Sequence, residues 1–146
     1  MDRATEIRGK VLTALGAFKH QNIDIPIFDE VVNPSVSIPK IAGADGVYVL
    51  IQDQQEQYSS VQNACNPRFD LNMTIRVVTK WGLVGSKKLC EDIGDTIINK
   101  LRDSRGRSLI PDIQKVELVY TRSIAEYSST NLAFSKVLIL NFIKNG

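Results

Sequence analysis

The first part of the chain alternates apolar and polar residues with the period of an α-helix. Its apolar positions recur at spacings of three or four residues: Ile7, Val11, Leu15 and Phe18. These positions fall on one side of a helix, so the pattern predicts an amphipathic helix over residues 2–19. Asp2 is suited to be its N-cap. His20 would then follow the helix C-terminus, where a positive charge is favourable.

A second helical pattern occupies residues 87–103. Its apolar positions are spaced by four residues: Leu89, Ile93, Ile97 and Leu101. Ser86 precedes the pattern as a potential helix cap, and Pro111 prevents the helix from resuming downstream. The sequence therefore predicts a second amphipathic helix whose apolar side faces the core.

Five further segments have the pattern of β-strands. They are residues 25–32, 47–51, 69–77, 115–127 and 132–144. The first contains Pro26, which places that proline at the start of a strand or on a sheet edge. The second is apolar at successive positions, as is typical of a central strand buried on both faces. The third alternates apolar with polar residues, and the last two flank a polar turn and predict a terminal hairpin.

This order of elements predicts one α+β domain spanning residues 1–146. We expect a mostly antiparallel sheet of four to five strands with two helices packed on one face. The terminal hairpin is also apolar on its second face, through Val119, Val137, Ile139 and Ile143. Such a face favours a partner, most simply another copy of the chain. The alternative is that long loops of the same chain cover it.

Two polar segments are further candidates for contact with a neighbouring subunit. Residues 52–67 are rich in glutamine and, at about 16 residues, exceed the usual hairpin loop. They form either a loop or an extension of the flanking strands, and Gln54, Gln57 and Tyr58 are their candidate contact residues. Arg105 and Arg107 follow the second helix and would touch DNA or acidic groups of a neighbour. A solvated helix end is the ordinary alternative for these cations.

Composition restricts the kind of protein that this can be. The chain has 146 residues, 43% of them hydrophobic and 23% charged, which is ordinary for a water-soluble domain. The net charge of +2 does not indicate nucleic acid or an anionic membrane as the main partner. No apolar run of the sequence, residues 137–140 included, is long enough to span a bilayer. The first residues lack the apolar segment of a secretory signal.

The residues that carry chemistry are few and scattered. Cys65, Cys90 and the single histidine lack the spacing of a zinc site, and free thiols are expected. Cys90 is followed by Glu91 and Asp92, which raise the pKa of a thiol and argue against a nucleophile. The turn at residues 82–87 lacks the glycine spacing of a phosphate-binding loop. The sequence thus predicts no enzyme activity and no catalytic, cofactor or metal site.

The succession of segments resembles a known family. The helix Ile-Arg-Gly-Lys-Val-Leu-Thr-Ala-Leu is followed by Ile-Pro-Ile-Phe-Asp-Glu and by Gly-Val-Tyr-Val-Leu-Ile. The strand Asp-Leu-Asn-Met-Thr-Ile-Arg-Val-Val-Thr, the second helix and the closing hairpin complete the series. Over residues 7–143 this order is similar to the tail-terminator, tail-completion and related neck (head–tail connector) proteins of tailed bacteriophages.

The resemblance implies a structural protein of the virion, made in the host cytoplasm and placed at the neck or tail. It implies a homo-oligomeric ring, six-fold or twelve-fold, that contacts other neck or tail proteins and through whose lumen DNA passes. The alternative from another class is a non-viral adaptor that binds proteins through an open sheet edge. A third possibility is a small enzyme whose active site is shared between subunits.

Overall fold

The computed structural model describes residues 3–16, 18–29, 32–33, 35–58, 68–82, 84–128 and 130–145. Two helices are described, α1 (Arg3–Leu15) and α2 (Lys88–Leu101). The described strands are β1 (Lys19–His20), β2 (Ile23–Asp24), β3 (Ile27–Asp29), β4 (Gly46–Tyr58), β5 (Arg68–Trp81), β6 (Lys115–Tyr127) and β7 (Leu132–Asn145). The predicted α+β class with a mainly antiparallel sheet is confirmed.

The main sheet has five strands in the order β3-β4-β5-β7-β6. Only the β3–β4 pair is parallel among these neighbours, and the other three pairs are antiparallel. Residues 47–51 are buried and β4 lies between β3 and β5, so the predicted interior strand is confirmed. Short β3 begins just after Pro26 and lies at the sheet edge, where a proline can be accommodated.

Helix α1 ends earlier than the sequence pattern predicts. Gly16 has a φ of 52°, and its N–H donates to the carbonyl of Leu12 at 2.9 Å, which ends the helix with a left-handed residue. Gln21 and Asn22, with φ values of 52° and 63°, then form the two-residue turn between β1 and β2. The prediction of His20 at a helix end is wrong, because His20 lies on β1. The proposed N-cap, Asp2, lies outside the described residues.

Helix α2 lies within its predicted range and is shorter at its C-terminal end. Its N-cap position is Lys87, which makes no side-chain capping bond. Ser86, the predicted cap, instead accepts a hydrogen bond from the N–H of Lys88 at 3.1 Å. Arg102 is extended and donates its N–H to the carbonyl of Ile98, so the helix stops there.

One large apolar core joins the helices to the sheet. The helices contribute Ile7, Val11, Leu15, Leu89, Cys90, Ile93, Ile97 and Leu101. The strands contribute Val47, Val49, Ile51, Leu71, Met73, Ile75, Val77, Leu138, Leu140 and Phe142. These strand residues define the inner face of the sheet. A smaller cluster of Phe28, Tyr48, Leu50 and Val78 lies on the opposite, outer face, with Val32 and Ile38 packed against it.

Candidate functional site

The register of the sheet brings together two groups of residues that are far apart in the sequence. One row of neighbours crosses the sheet through Gln57, Asp70, Ile143, Lys115 and Arg107. Adjacent strands are about 4.8 Å apart, so Gln57 and Arg107 lie roughly 19 Å from each other along this row. We call these five residues the strand-end row. It places two of the predicted contact residues at the same end of the sheet.

The glutamine-rich segment begins as a continuation of β4. The main chains of Gln54, Gln57 and Tyr58 pair with those of Met73, Asp70 and Phe69 on β5. Up to Tyr58, therefore, the segment extends the strand and is not a loop. Residues 59–67, which include Cys65, lie outside the described residues.

Arg105 and Arg107 lie in the turn between α2 and β6. The carboxylate of Asp103 organises this turn by accepting hydrogen bonds from their main-chain N–H groups, at 2.8 and 2.9 Å. Both arginine side chains are exposed. Nearby Lys115 forms an ion pair with Glu117 at 3.0 Å, so part of the local positive charge is neutralised. The turn thus presents two guanidinium groups to a carboxylate or phosphate of a partner.

Val137 and Ile139 lie on the outer face of β7. They are opposite Arg76 and Thr74 on β5 and next to Arg122 and Tyr120 on β6, as the register shows. Both are half-buried, while Ile143 on the same face is only 6% exposed. The outer face therefore mixes apolar and charged groups and is less apolar at its surface than the sequence pattern indicates.

Val119 lies at an irregularity of β6. The register with β7 passes from Leu118 to Tyr120, and Val119 has no partner in it. Val119 is 57% exposed and Tyr120 is 48% exposed. Strict alternation along β6 would put Tyr120 on the same face as Val116, but the extra residue shifts the alternation and puts Tyr120 opposite Ile139. We call Val119, Tyr120, Val137 and Ile139 the outer-face patch.

A polar network on the same face was not foreseen from the sequence. The guanidinium of Arg76 on β5 reaches across β7 and donates to Glu126 on β6 at 3.0 Å and to the hydroxyl of Ser135 at 3.1 Å. Its Nε, and the Oδ1 of Asn141, are buried and have no hydrogen-bond partner among the residues that the structure describes. The only sequence signal was the position of Arg76 on the polar side of a predicted strand.

Cys90 is buried on α2, and its thiol donates to the carbonyl of Lys87 at 3.1 Å. Burial, together with the smaller effect of the charge of Glu91, raises the pKa of this thiol to about 11. Glu91 therefore acts in the direction expected from the sequence, although burial is the larger cause. A thiol with this pKa is a poor nucleophile near neutral pH.

Within the described residues, no group of His, Cys, Asp and Glu side chains could hold a metal ion. Neither described helix has the length and apolar character needed to cross a membrane. Comparison of the sequence with protein-family models and with curated proteins finds no match. The strand-end row and the outer-face patch are thus the two candidate contact surfaces among the described residues.

Proposed function

We propose that this protein is a structural subunit of a tailed-bacteriophage virion. In this proposal it forms a ring of six or twelve copies at the head–tail junction or at the tail end. There it joins or terminates the tail through contacts with other neck or tail proteins. The resemblance of residues 7–143 to tail-terminator and neck proteins motivates the proposal, and the surfaces of the sheet support it.

The observation that supports the ring most is the presence of two unlike surfaces on one sheet. A ring is built by heterologous contacts, in which one surface of each copy meets a different surface of the next. Four of the five residues of the strand-end row are polar, and two of these, Lys115 and Arg107, are basic. The outer-face patch carries Val137, Ile139 and the exposed Val119. An apolar patch bordered by polar groups is the ordinary composition of a protein interface.

The basic turn has a role in the same proposal. Arg105 and Arg107 are exposed at one end of the sheet, beside the strand-end row. In a ring they lie against acidic groups of the next copy or line the lumen through which DNA passes. Phosphate contacts of the second kind are weak, independent of sequence and sensitive to salt.

The test is electron microscopy and mass measurement of the purified chain and of an Ile139→Glu variant. We expect the unmodified chain to form rings. A charge in the outer-face patch should prevent them while the circular dichroism spectrum stays unchanged. Val84→Glu is the matched control, since Val84 is 85% exposed and lies between β5 and α2, away from this face. Rings that persist in Ile139→Glu, or a chain that never forms rings, would contradict the proposal.

A second candidate, an adaptor that binds other proteins, is favoured by the long edge strand β6. An exposed edge presents unpaired main-chain groups to which an extended peptide can add as a further strand. A chain that stays single and binds one defined peptide along β6 would favour the adaptor over the ring.

A further inference from the structure

We propose that two copies of this chain pair through the open edge of β6, antiparallel, with Ile124 on the two-fold axis. This inference goes beyond the proposed function, because it concerns a different surface and does not depend on the virion assignment. It rests on the main-chain geometry of one strand and on the order of charges along it.

Strand β6 is the last strand of the sheet, and only its beginning is covered. The N–H of Val116 donates to the carbonyl of Gly106 at 3.3 Å, and Arg102 donates to the carbonyl of Val116 at 3.4 Å. Beyond Glu117, the part of the chain that the structure describes supplies no strand on this side of β6. Residues 118–127 therefore form an open edge, and Val119, Tyr120 and Tyr127 are exposed on it.

The register determines which main-chain groups point outwards from this edge. The carbonyl of Phe134 accepts a bond from the hydroxyl of Thr79, so Phe134 directs its main-chain groups towards β5. Odd-numbered residues of β7 therefore face β6, where they pair with even-numbered residues from Tyr120 to Glu126. Main-chain donors and acceptors at the open edge belong to the odd-numbered residues: Thr121, Ser123, Ala125 and Tyr127.

A second copy of β6 can pair with this edge in register only if its odd-numbered residues lie opposite odd-numbered residues. With Ile124 on the axis, Ser123 is opposite Ala125 of the second copy, and Thr121 is opposite Tyr127. Arg122 is then directly opposite Glu126, once on each side of the axis. A twofold-symmetric pairing thus places opposite charges together twice, which stabilises an antiparallel pair.

Neighbouring registers lack this complementarity. An axis through Arg122 places the two copies of Arg122 opposite each other, and an axis through Glu126 does the same for Glu126. Like charges directly opposite each other are destabilising. An axis through Ser123 or through Ala125 leaves both charges opposite uncharged or aromatic residues. The order Arg-Ser-Ile-Ala-Glu at residues 122–126 therefore selects Ile124 as the centre.

The state of the two charges in the single chain agrees with this arrangement. Arg122 is exposed and has no ion-pair partner within the described residues. The side chain of Glu126 is 62% exposed and contacts Arg76 of its own chain at 3.0 Å. In the pair, each Glu126 lies between Arg76 of its own chain and Arg122 of the second copy. Ile124, half-buried on the outer face, packs against its symmetry mate.

A two-fold contact has a definite relation to the ring. This contact is complete once two copies have met, so it cannot link further copies into a ring. A cyclic ring whose two ends differ has no two-fold axis between its copies. The pair is therefore the form of the unassembled protein, in which each copy protects the open edge of the other. Exposed edges of this length otherwise favour aggregation.

Cysteine cross-linking tests the register. In a Cys65→Ser background, Ile124→Cys places two thiols opposite each other at the axis, with Cβ atoms about 5 Å apart, so oxidation should join two chains. Arg122→Cys is the matched control, because its two copies are about 13 Å apart in this register and cannot form a disulfide. A mixture of Arg122→Cys and Glu126→Cys chains should cross-link to each other. If Arg122→Cys chains, tested without Glu126→Cys chains, cross-link to each other as efficiently as Ile124→Cys chains do, the register is overturned.

Sedimentation of the full chain, at concentrations where no ring is seen, tests the pair itself. We expect a reversible equilibrium between one and two copies. Arg122→Glu creates two like-charge contacts and should raise the dissociation constant about tenfold or more. Lys88→Glu, an equal charge change at an exposed position on α2, should leave it unchanged. A wild-type chain that stays single would overturn the pair. The ring proposal is judged separately, by Ile139→Glu.

Discussion

Arg8 of α1 and Asp29 of β3 form an ion pair. The same guanidinium donates to the carbonyl of Ile51 at 3.1 Å and to that of Gln52 at 3.3 Å, where the register between β4 and β5 is irregular. A bulge disrupts the regular ladder of hydrogen bonds, and the several donors of an arginine can satisfy the carbonyls it leaves. Arg8 is only 7% exposed, so one side chain joins helix α1, edge strand β3 and the irregular part of β4.

Replacing this arginine by a residue of similar length without a charge should destabilise the fold. Arg8→Met removes the hydrogen-bond donors to the carbonyls of Ile51 and Gln52, and the bond to Ile51 is buried. We expect the free energy of unfolding to fall by about 2 to 4 kcal/mol. Urea unfolding followed by circular dichroism measures it.

Asp29→Asn is the matched control for the ion pair alone. The side chain of Asp29 is 53% exposed, so solvent screens its charge. We expect a loss below about 1 kcal/mol, as is usual for exposed ion pairs. Equal losses in Arg8→Met and Asp29→Asn would contradict the view that the carbonyl bonds dominate.

Hydropathy patterns predicted the strands of the terminal hairpin well because a polar turn separates two long stretches of alternating residues. Strand β6 has the predicted range, 115–127, and β7 is one residue longer than predicted. Bulges were not predictable in the same way, since an extra residue such as Val119 leaves no mark on the composition of a strand. The end of α1 was misjudged because its apolar spacing continues to Phe18 although Gly16 adopts a left-handed conformation.

Candidate contact residues could be chosen from the sequence, but their arrangement could not. Gln57 and Arg107 lie in one row only through the register of three strand pairings and one isolated bridge. The proposed pairing of Arg122 with Glu126 of a second copy depends on the β6 bulge. The bulge determines which residues of β6 direct their main-chain groups towards the open edge. Long-range pairing of this kind is decided by the whole sheet and not by any local segment.

Gly85 is required by the side chain of Trp81. A Cβ at Gly85 would lie 2.5 Å from Cγ of the indole, and the ring is fixed because its N–H donates to the buried hydroxyl of Thr79 at 3.0 Å. Gly85→Ala should therefore force the ring or the turn to move, and we expect a loss of about 1 to 3 kcal/mol in the free energy of unfolding. Urea unfolding monitored by the fluorescence of this tryptophan gives the value.

Gly9→Ala is the control with the opposite expected sign. Gly9 lies within α1, and among the described residues a Cβ added there would meet nothing within 4 Å apart from the adjacent backbone of its own helix. Alanine in a helix interior is favoured over glycine by about 0.5 to 1 kcal/mol, so this variant should be more stable than the wild type. Destabilisation by both alanines would show that contact with Trp81 is not the cause at Gly85.

A network of charges ties α1 to the C-terminal half of the chain. Glu6 lies 3.1 Å from the ammonium of Lys144 and 3.2 Å from that of Lys10, and Lys10 lies 2.8 Å from Asp112. Hydrogen bonds from Lys144 and then Lys10 lower the pKa of Glu6 below 4.5, and Lys10 lowers the pKa of Asp112 below 3.8. The hydrogen bond to Asp112 raises the pKa of Lys10 above 10.5.

These shifts give the pH dependence of stability a definite sign. An acid whose pKa is lower in the folded state stabilises the fold above its unfolded value, and this contribution is lost as the pH falls through the folded value. The contribution of Lys10, whose pKa is raised, is lost only as the pH rises beyond 10.5. Glu6→Gln should therefore be less stable than the wild type above pH 4.5 and should approach it as the pH falls below the folded pKa of Glu6.

Urea midpoints measured at low salt, from about pH 7 to about pH 2, would show the difference closing. High salt should reduce the difference at neutral pH, because the charges are partly exposed and solvent ions screen them. Exposed Glu126, which contacts Arg76 on the other face of the sheet, supplies the control through Glu126→Gln. That variant leaves the Glu6 network intact, so combining the two changes should give additive losses. If the urea midpoints of Glu6→Gln and the wild type differ by the same amount at every pH, ionisation of Glu6 contributes nothing to the stability of the fold.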